Sequence, residues 1–241
     1  MQLYADGHYH CFACGAHGNI DELPKAIPTP TTGLPRTSDT LKRGLELWDA
    51  AKSIHGTLAE QYLAKTRKLD FAILPDIDAV LRFHPRCPFN KDKHPCVIAL
   101  FRDIETDEAA GIHRIALTAD AKKIDRMMLG SWPQSRAIKL RPTGEKLIVG
   151  EGTETTIAGG MRTREAAALW VMGSAGAIRQ LPILTGMKEL TILVDHDNNN
   201  VGISHARACA ERWRLAKRKA VLAIPHQTKA DFNDLIKGRA P

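Results

Sequence analysis

Three acidic residues stand directly beyond apolar segments in the second half of the chain. Glu151 follows the run Leu147-Ile-Val-Gly, and Asp195 and Asp197 follow the run Leu190-Thr-Ile-Leu-Val. If the two runs are neighbouring strands of a parallel sheet, the carboxylates lie at the strand ends, where such sheets bind ligands. Carboxylate oxygens are the ligands that Mg²⁺ prefers, and metal held this way assists phosphoryl transfer. A lone Asp-x-Asp is more often a solvated turn, but the ordered combination favours a metal site.

The segments that must position these acids alternate between strand and helix patterns. Apolar runs separated by helices predict an α/β fold, with a mostly parallel sheet flanked by helices. The sequence predicts strands over 146–150, 167–172, 190–194 and 221–224, and helices over 153–161, 175–181 and 201–217. Ahead of them, helical spacing and the strand-like runs 79–83, 96–101 and 111–117 predict a smaller α+β lobe.

Composition divides the chain into four parts. They are a segment rich in Cys, His and Gly, a Pro/Thr-rich linker, the α+β lobe and the parallel α/β domain, over 1–21, 22–38, 39–143 and 144–241. No apolar run reaches the ~20 residues that cross a bilayer, and the first residues do not resemble a signal peptide. We therefore expect a cytoplasmic protein without a membrane partner.

The chain is basic, with a formal net charge of +7 from 34 Lys and Arg against 27 Asp and Glu. Such a balance favours a polyanionic partner, because basic side chains neutralise phosphates and release their counterions. The five cysteines are an odd number, which argues against a disulfide scaffold and for reduced thiols.

The acidic residues also carry a family resemblance. Glu151-Gly152, followed about forty residues later by Asp195-His-Asp197, resembles the Toprim signature of primases, topoisomerases and some nucleases. Together with the segments 56–63 and 111–123, the stretch 149–158 resembles Toprim-domain DNA primases of phage and plasmid type. The resemblance implies that Asp195 and Asp197 coordinate Mg²⁺ or Mn²⁺, and that Glu151 helps hold metal or transfers a proton. Thr155 stands where many bacterial primases have a further acid.

Two further segments resemble parts of the same family. The run Lys229-Ala-Asp231-Phe-Asn-Asp-Leu resembles the element that closes the Toprim domain, so Asp231 is expected either to add a metal ligand or to cap a helix. Cys11 and Cys14 resemble the second half of a primase zinc ribbon, whose first half belongs upstream in that family, so we expect the ribbon to be truncated. We therefore expect a partial ribbon that holds Zn²⁺ only if other ligands complete it. Histidines beside it, or Cys87 and Cys96, are alternative sources of those ligands.

The leading functional hypothesis is a primase-like nucleotidyltransferase that makes short RNA primers on single-stranded DNA from nucleoside triphosphates. Arg114, Lys122, Lys123 and Lys139 are the expected nucleotide- or template-binding cations, and Arg126 is a further candidate. Alternatives are a Toprim-type metal-dependent nuclease and a non-catalytic nucleic-acid-binding remnant. No P-loop motif occurs in the sequence, so we expect any replicative helicase to be another chain.

Overall fold

The computed structural model describes residues 2–3, 8–10, 17–19, 37–131, 135–163, 166–195, 201–225 and 232–236. Its first unit spans Met1–Arg36. Three short strands in this unit pair antiparallel in chain order: β1 (Gln2–Leu3), β2 (His8–His10) and β3 (His17–Asn19). Cys11 and Cys14 fall between β2 and β3 and lie outside the described residues, so their binding of zinc stays a prediction.

The second unit, Thr37–Pro241, is built on one nine-stranded sheet. Four strands are parallel, in the spatial order β12 (Lys219–Ala223), β11 (Glu189–Leu193), β9 (Lys146–Gly150) and β10 (Ala168–Val171). The sheet continues antiparallel through β8 (Arg136–Arg141), β5 (Asp92–Asp103), β6 (Ala109–Leu117) and β7 (Lys123–Gly130). Strand β4 (Leu81–Phe89) pairs with β5 beside this path.

Helices cover both faces of the sheet. They are α1 (Thr37–Asp49), α2 (Leu58–Glu60, continued by a π-helical turn over Gln61–Thr66), α3 (Thr153–Thr163), α4 (Ala175–Gln180), α5 (Val201–Leu215) and α6 (Phe232–Ile236). Side-chain caps begin two of them: the Thr57 hydroxyl accepts from the Ala59 N–H, and the Ser174 hydroxyl accepts from the Ala177 N–H. A short 3-10 helix, Phe71–Ile73, follows α2.

The core lies on both sides of the parallel strands, because successive side chains of a strand point to opposite faces. On β10, Leu169 and Val171 pack into the cluster that includes Ile157 of α3, whereas Ala168 and Trp170 pack into the cluster that includes Trp213 of α5. Burial on both faces explains why these strands are continuous apolar runs in the sequence. The predicted fold class, a mostly parallel sheet flanked by helices after an α+β portion, is confirmed.

Some features differ from the sequence predictions. Strands β7 and β8 were not predicted. Strand β8 joins the antiparallel strands to the parallel ones in one continuous sheet, and β7 forms the edge beyond β6. The four predicted domain boundaries stay a prediction. Among the described residues, none of the helices is long and apolar enough to cross a membrane.

Candidate active site at the strand ends

Glu151 and Asp195 lie at the carboxyl ends of two adjacent parallel strands. In the β9–β11 pairing, Val149 lies opposite Ile192. Continued at the same offset, this register puts Glu151 level with Val194, one residue before Asp195. Neighbouring strands are about 4.8 Å apart, so the two carboxylates belong to the same edge of the sheet. The predicted juxtaposition of these two strand ends therefore occurs in the fold, while Asp197 and Asp231 lie outside the described residues.

Thr155 links helix α3 to the acidic edge. Its hydroxyl Oγ1 donates a hydrogen bond to Asp195 Oδ1 across 3.3 Å. Helix α3 starts two residues after Glu151, and its first turn is closed on Gly152, whose carbonyl accepts from the Thr156 N–H (3.0 Å) and hydroxyl (2.7 Å). The residue that replaces an acid of many bacterial primases thus faces Asp195 as a donor.

Arg126 of strand β7 lies against Glu151. Its guanidinium Nη2 is 3.2 Å from Glu151 Oε1, and the two side chains are 42% and 32% exposed. Since β7 was not predicted, the sequence offered no place for this cation, although its charge made it a candidate. The proximity of the two groups comes from strand pairing, in which Arg126 lies opposite Ile115 of β6.

Glu154 is held in a buried polar cluster beside the acidic edge. The Tyr62 hydroxyl donates to Glu154 Oε1 across 2.7 Å, Lys123 Nζ lies 3.0 Å from the same oxygen, and Arg67 Nη2 lies 3.9 Å away. Burial by itself would raise the pKa of the Glu154 carboxyl, but the charge of Lys123, the Tyr62 hydrogen bond and the charge of Arg67 outweigh it and hold the pKa at about 2. Glu154 is therefore an ionised structural anchor of helix α3.

The other predicted cations lie in different environments. Arg114 is 6% exposed, donates from Nη1 to the Pro88 carbonyl (2.6 Å) and stacks over the Phe89 ring. It lies opposite Met127 on β7, so it points to the other face from Arg126. Lys122 is paired with Asp120 at 2.6 Å in the turn before β7.

Lys139 and Lys123 are also engaged with protein groups. Lys139 Nζ lies 2.7 Å from Asp107 Oδ1 and sits 5.2 Å from the centre of the Trp170 ring. Lys123 contacts Glu154 as described above. The nucleotide-binding roles of all four predicted cations stay predictions, and of the candidate cations the structure puts Arg126 on Glu151.

Asn233 connects the C-terminal segment to this neighbourhood. Its side chain is fully buried, and Nδ2 donates to the Arg67 carbonyl across 2.6 Å. Arg67 in turn lies beside Glu154. The segment that resembles the closing element of the Toprim domain therefore packs on the end of the α2 region, next to the buried anchor.

The donor chemistry of the acidic edge fits a hard divalent cation. Glu151 and Asp195 supply carboxylate oxygens, the ligand type of Mg²⁺ and Mn²⁺. Within the described ranges, no group of three or more His, Cys, Asp or Glu side chains is arranged to hold a metal ion. Cys87 and Cys96, considered as alternative zinc ligands, are buried free thiols within the β4–β5 pair.

Comparison with known families supports the assignment of the domain. Residues 146–241 match the Toprim domain family, and residues 38–140 match a family described as a domain of unknown function, DUF7146. A comparison with curated proteins gives no match.

Solved primase structures share the fold. The zinc-binding and RNA polymerase domains of the Aquifex aeolicus primase are 14% identical with a TM-score of 0.53, over 82% of this chain and 57% of that one. A DNA primase domain from Pseudomonas aeruginosa is 15% identical with a TM-score of 0.52, over 82% and 75%. The primase fragment of the bacteriophage T7 primase-helicase protein is 14% identical with a TM-score of 0.51, over 98% and 88%.

These structural similarities concern the fold, which includes the parallel sheet that carries the strand-end acids. The chain spans little more than half the length of the Aquifex aeolicus primase chain, and at such identities the likeness concerns the fold. Residues 146–241 therefore belong to the Toprim domain family, and the chain shares the fold of the solved DNA primase structures.

Proposed function

We propose that this protein is a primase-like nucleotidyltransferase that joins nucleoside triphosphates into short RNA primers on single-stranded DNA. The observation that carries the proposal is the position of Glu151 and Asp195 at the ends of adjacent parallel strands in a Toprim domain. The primase fold of the solved neighbours and the net charge of +7 support a nucleic-acid template as the partner.

In this proposal, Glu151, Asp195 and Asp197 hold Mg²⁺ or Mn²⁺, and Asp231 is a further candidate ligand. A divalent cation bound there would neutralise charge on the reacting phosphate. Thr155 orients the Asp195 carboxylate through its hydrogen bond, and Glu154 fixes the first turn of α3. Glu151 is partly exposed and can accept a proton from the attacking hydroxyl.

The test is incorporation of radiolabelled nucleoside triphosphates on single-stranded DNA, with and without Mn²⁺. Glu151→Gln and Asp195→Asn are each expected to reduce incorporation by about 100-fold or more. Glu211→Gln, on an exposed position of α5, is the matched control and is expected to retain full activity. Unchanged synthesis in both site variants would refute the proposed roles.

The same assay separates the other functions. A Toprim nuclease would shorten the labelled template in a metal-dependent way without making new strands. A non-catalytic binding protein would retain the template and do neither. The proposal also includes association with a replicative helicase on another chain, since the T7 neighbour is a fragment of a primase-helicase protein. It further includes a phage or plasmid origin and a cytoplasmic location.

A further inference from the structure

The acidic edge already contains a cation of the protein itself. Arg126 contacts Glu151 through a single pair of atoms, Nη2 and Oε1, at 3.2 Å. Both side chains are about a third or more exposed, and exposed pairs of this kind contribute little to stability. The contact can therefore open at small cost.

The neighbouring cations are engaged with a different carboxylate. Lys123 and Arg67 lie on Glu154, whose side chain is only 4% exposed. Glu154 is thus neutralised by Lys123 and Arg67, and Arg126 is not one of its ion-pair partners. Among the described residues, the Arg126 guanidinium forms an ion pair only with Glu151, while its backbone N–H donates to Asp125 Oδ1 across 2.7 Å. Within the described part of the chain, the one ion-pair partner of Glu151 is therefore this exposed arginine.

Strand β7 leaves the Arg126 side chain room to move. Met128 lies two residues after it on the same side of the strand, and Ile124 lies two residues before it at a register shift; they are 37% and 46% exposed. The Arg126 side chain itself is 42% exposed. A long side chain in such a place can change partners without disturbing the core.

We propose that Arg126 is a positioning residue that exchanges partners at the active site. Its guanidinium holds Glu151 while no divalent cation is bound, and it passes to a phosphate of the nucleotide once a cation takes the carboxylate. Two cations at one carboxylate repel each other, so metal binding displaces the weaker partner. The planar guanidinium matches phosphate oxygens in a bidentate way, which gives it a favourable second position. This inference rests on the proposed function and adds to it a named residue that binds a phosphate of the nucleotide.

The experiment measures two affinities in the full chain and needs no catalysis. The first is the affinity for Mn²⁺ without nucleotide, followed by isothermal titration calorimetry at fixed ionic strength. Arg126→Gln is expected to bind Mn²⁺ about twofold to fivefold more tightly, because the competing cation has been removed. The second is the affinity for ATP at saturating Mn²⁺, which is expected to fall about tenfold or more in the same variant.

Two further variants serve as controls. Arg86→Gln removes one exposed positive charge far along the chain from the site and is expected to change neither affinity. Arg126→Lys keeps the charge without the bidentate geometry, so its Mn²⁺ affinity should equal that of the unmodified protein while ATP binding is weakened.

Opposite changes in the two affinities of Arg126→Gln would support the exchange. An unchanged or weaker Mn²⁺ affinity would overturn it, and so would tighter Mn²⁺ binding with unaltered ATP binding. Opposite changes in a protein that makes no primers would uphold the exchange and refute the primase function. Primer synthesis without opposite changes in the two affinities would support the primase function and refute the exchange.

Discussion

Replacement of Glu154 by Gln tests whether the buried cluster anchors the catalytic helix. The carboxylate is fully enclosed and accepts the Tyr62 hydrogen bond at 2.7 Å while Lys123 lies 3.0 Å away. Gln keeps the size and one acceptor but removes the charge. The two cations, Lys123 and Arg67, then lose their common partner.

The expected cost follows from the pKa of the carboxyl. A pKa of about 2 in place of 4.5 means that the fold favours the ionised form by roughly 3 kcal/mol at neutral pH. Lys123 is 31% exposed and can turn towards water, which reduces the loss. We therefore expect Glu154→Gln to lower the free energy of unfolding by about 2–3 kcal/mol. For a unit of this size, the melting temperature falls by roughly 5–10 °C.

The measurement is thermal unfolding followed by circular dichroism at pH 7, with Glu211→Gln as the control. The pKa of Glu154 is lower in the folded state than in the unfolded chain, so its contribution is present above about pH 4.5 and is lost as the pH falls towards 2. The difference between the variant and the unmodified protein should shrink over that window. A variant that melts within 1 °C of the control at pH 7 would show that the cluster contributes no net stability.

Three other changes have defined outcomes. Burial lowers the pKa of His113 to about 4, so the stability of the fold should decrease as the pH drops from 6.5 towards 4. In His113→Leu, the midpoint of urea unfolding should depend less on pH over that range, and parallel pH profiles of the two proteins would contradict this. Gly130→Ala would put a Cβ onto backbone atoms of Ala110 and Gly111, and should destabilise the unit by about 1–3 kcal/mol in urea unfolding. In the control Gly186→Ala, the new Cβ meets open space, so this variant carries backbone strain without the steric clash. Asn233→Ala removes the donor to the Arg67 carbonyl and should cost about 1–3 kcal/mol by the same measurement; a value near zero would show that water replaces it.

The strand ends of the candidate site were predictable because their signals are local. Strand β9 was predicted with its observed bounds, and β11 lies within one residue of its prediction. Both are largely buried on two faces, so apolar residues fill most of their positions, and Glu151 and Asp195 follow directly after these apolar runs. The carboxyl ends of neighbouring parallel strands share one edge of the sheet, so the sequence pattern alone predicted that Glu151 and Asp195 lie at the same edge.

Strand β7 had no comparable signal. It lies at an edge of the sheet, and its first four residues are all exposed, so neither an apolar run nor an alternating pattern marks it. For the same reason, the sequence indicated that Arg126 is a candidate nucleotide- or template-binding cation but not that it contacts Glu151. Arg114 was expected to bind nucleotide or template, but the face of the sheet on which it lies depends on the pairing register with β7.

The sequence by itself determined the positions of the Toprim acids along the chain and the alternation of strands and helices that carries them. Only the tertiary structure decided which cations neutralise those acids. Glu154 meets Tyr62 across 92 positions of chain and Lys123 across 31, and Glu151 meets Arg126 across 25. Such partners are chosen by strand order and register, and each one-residue shift of register would carry a side chain to the opposite face.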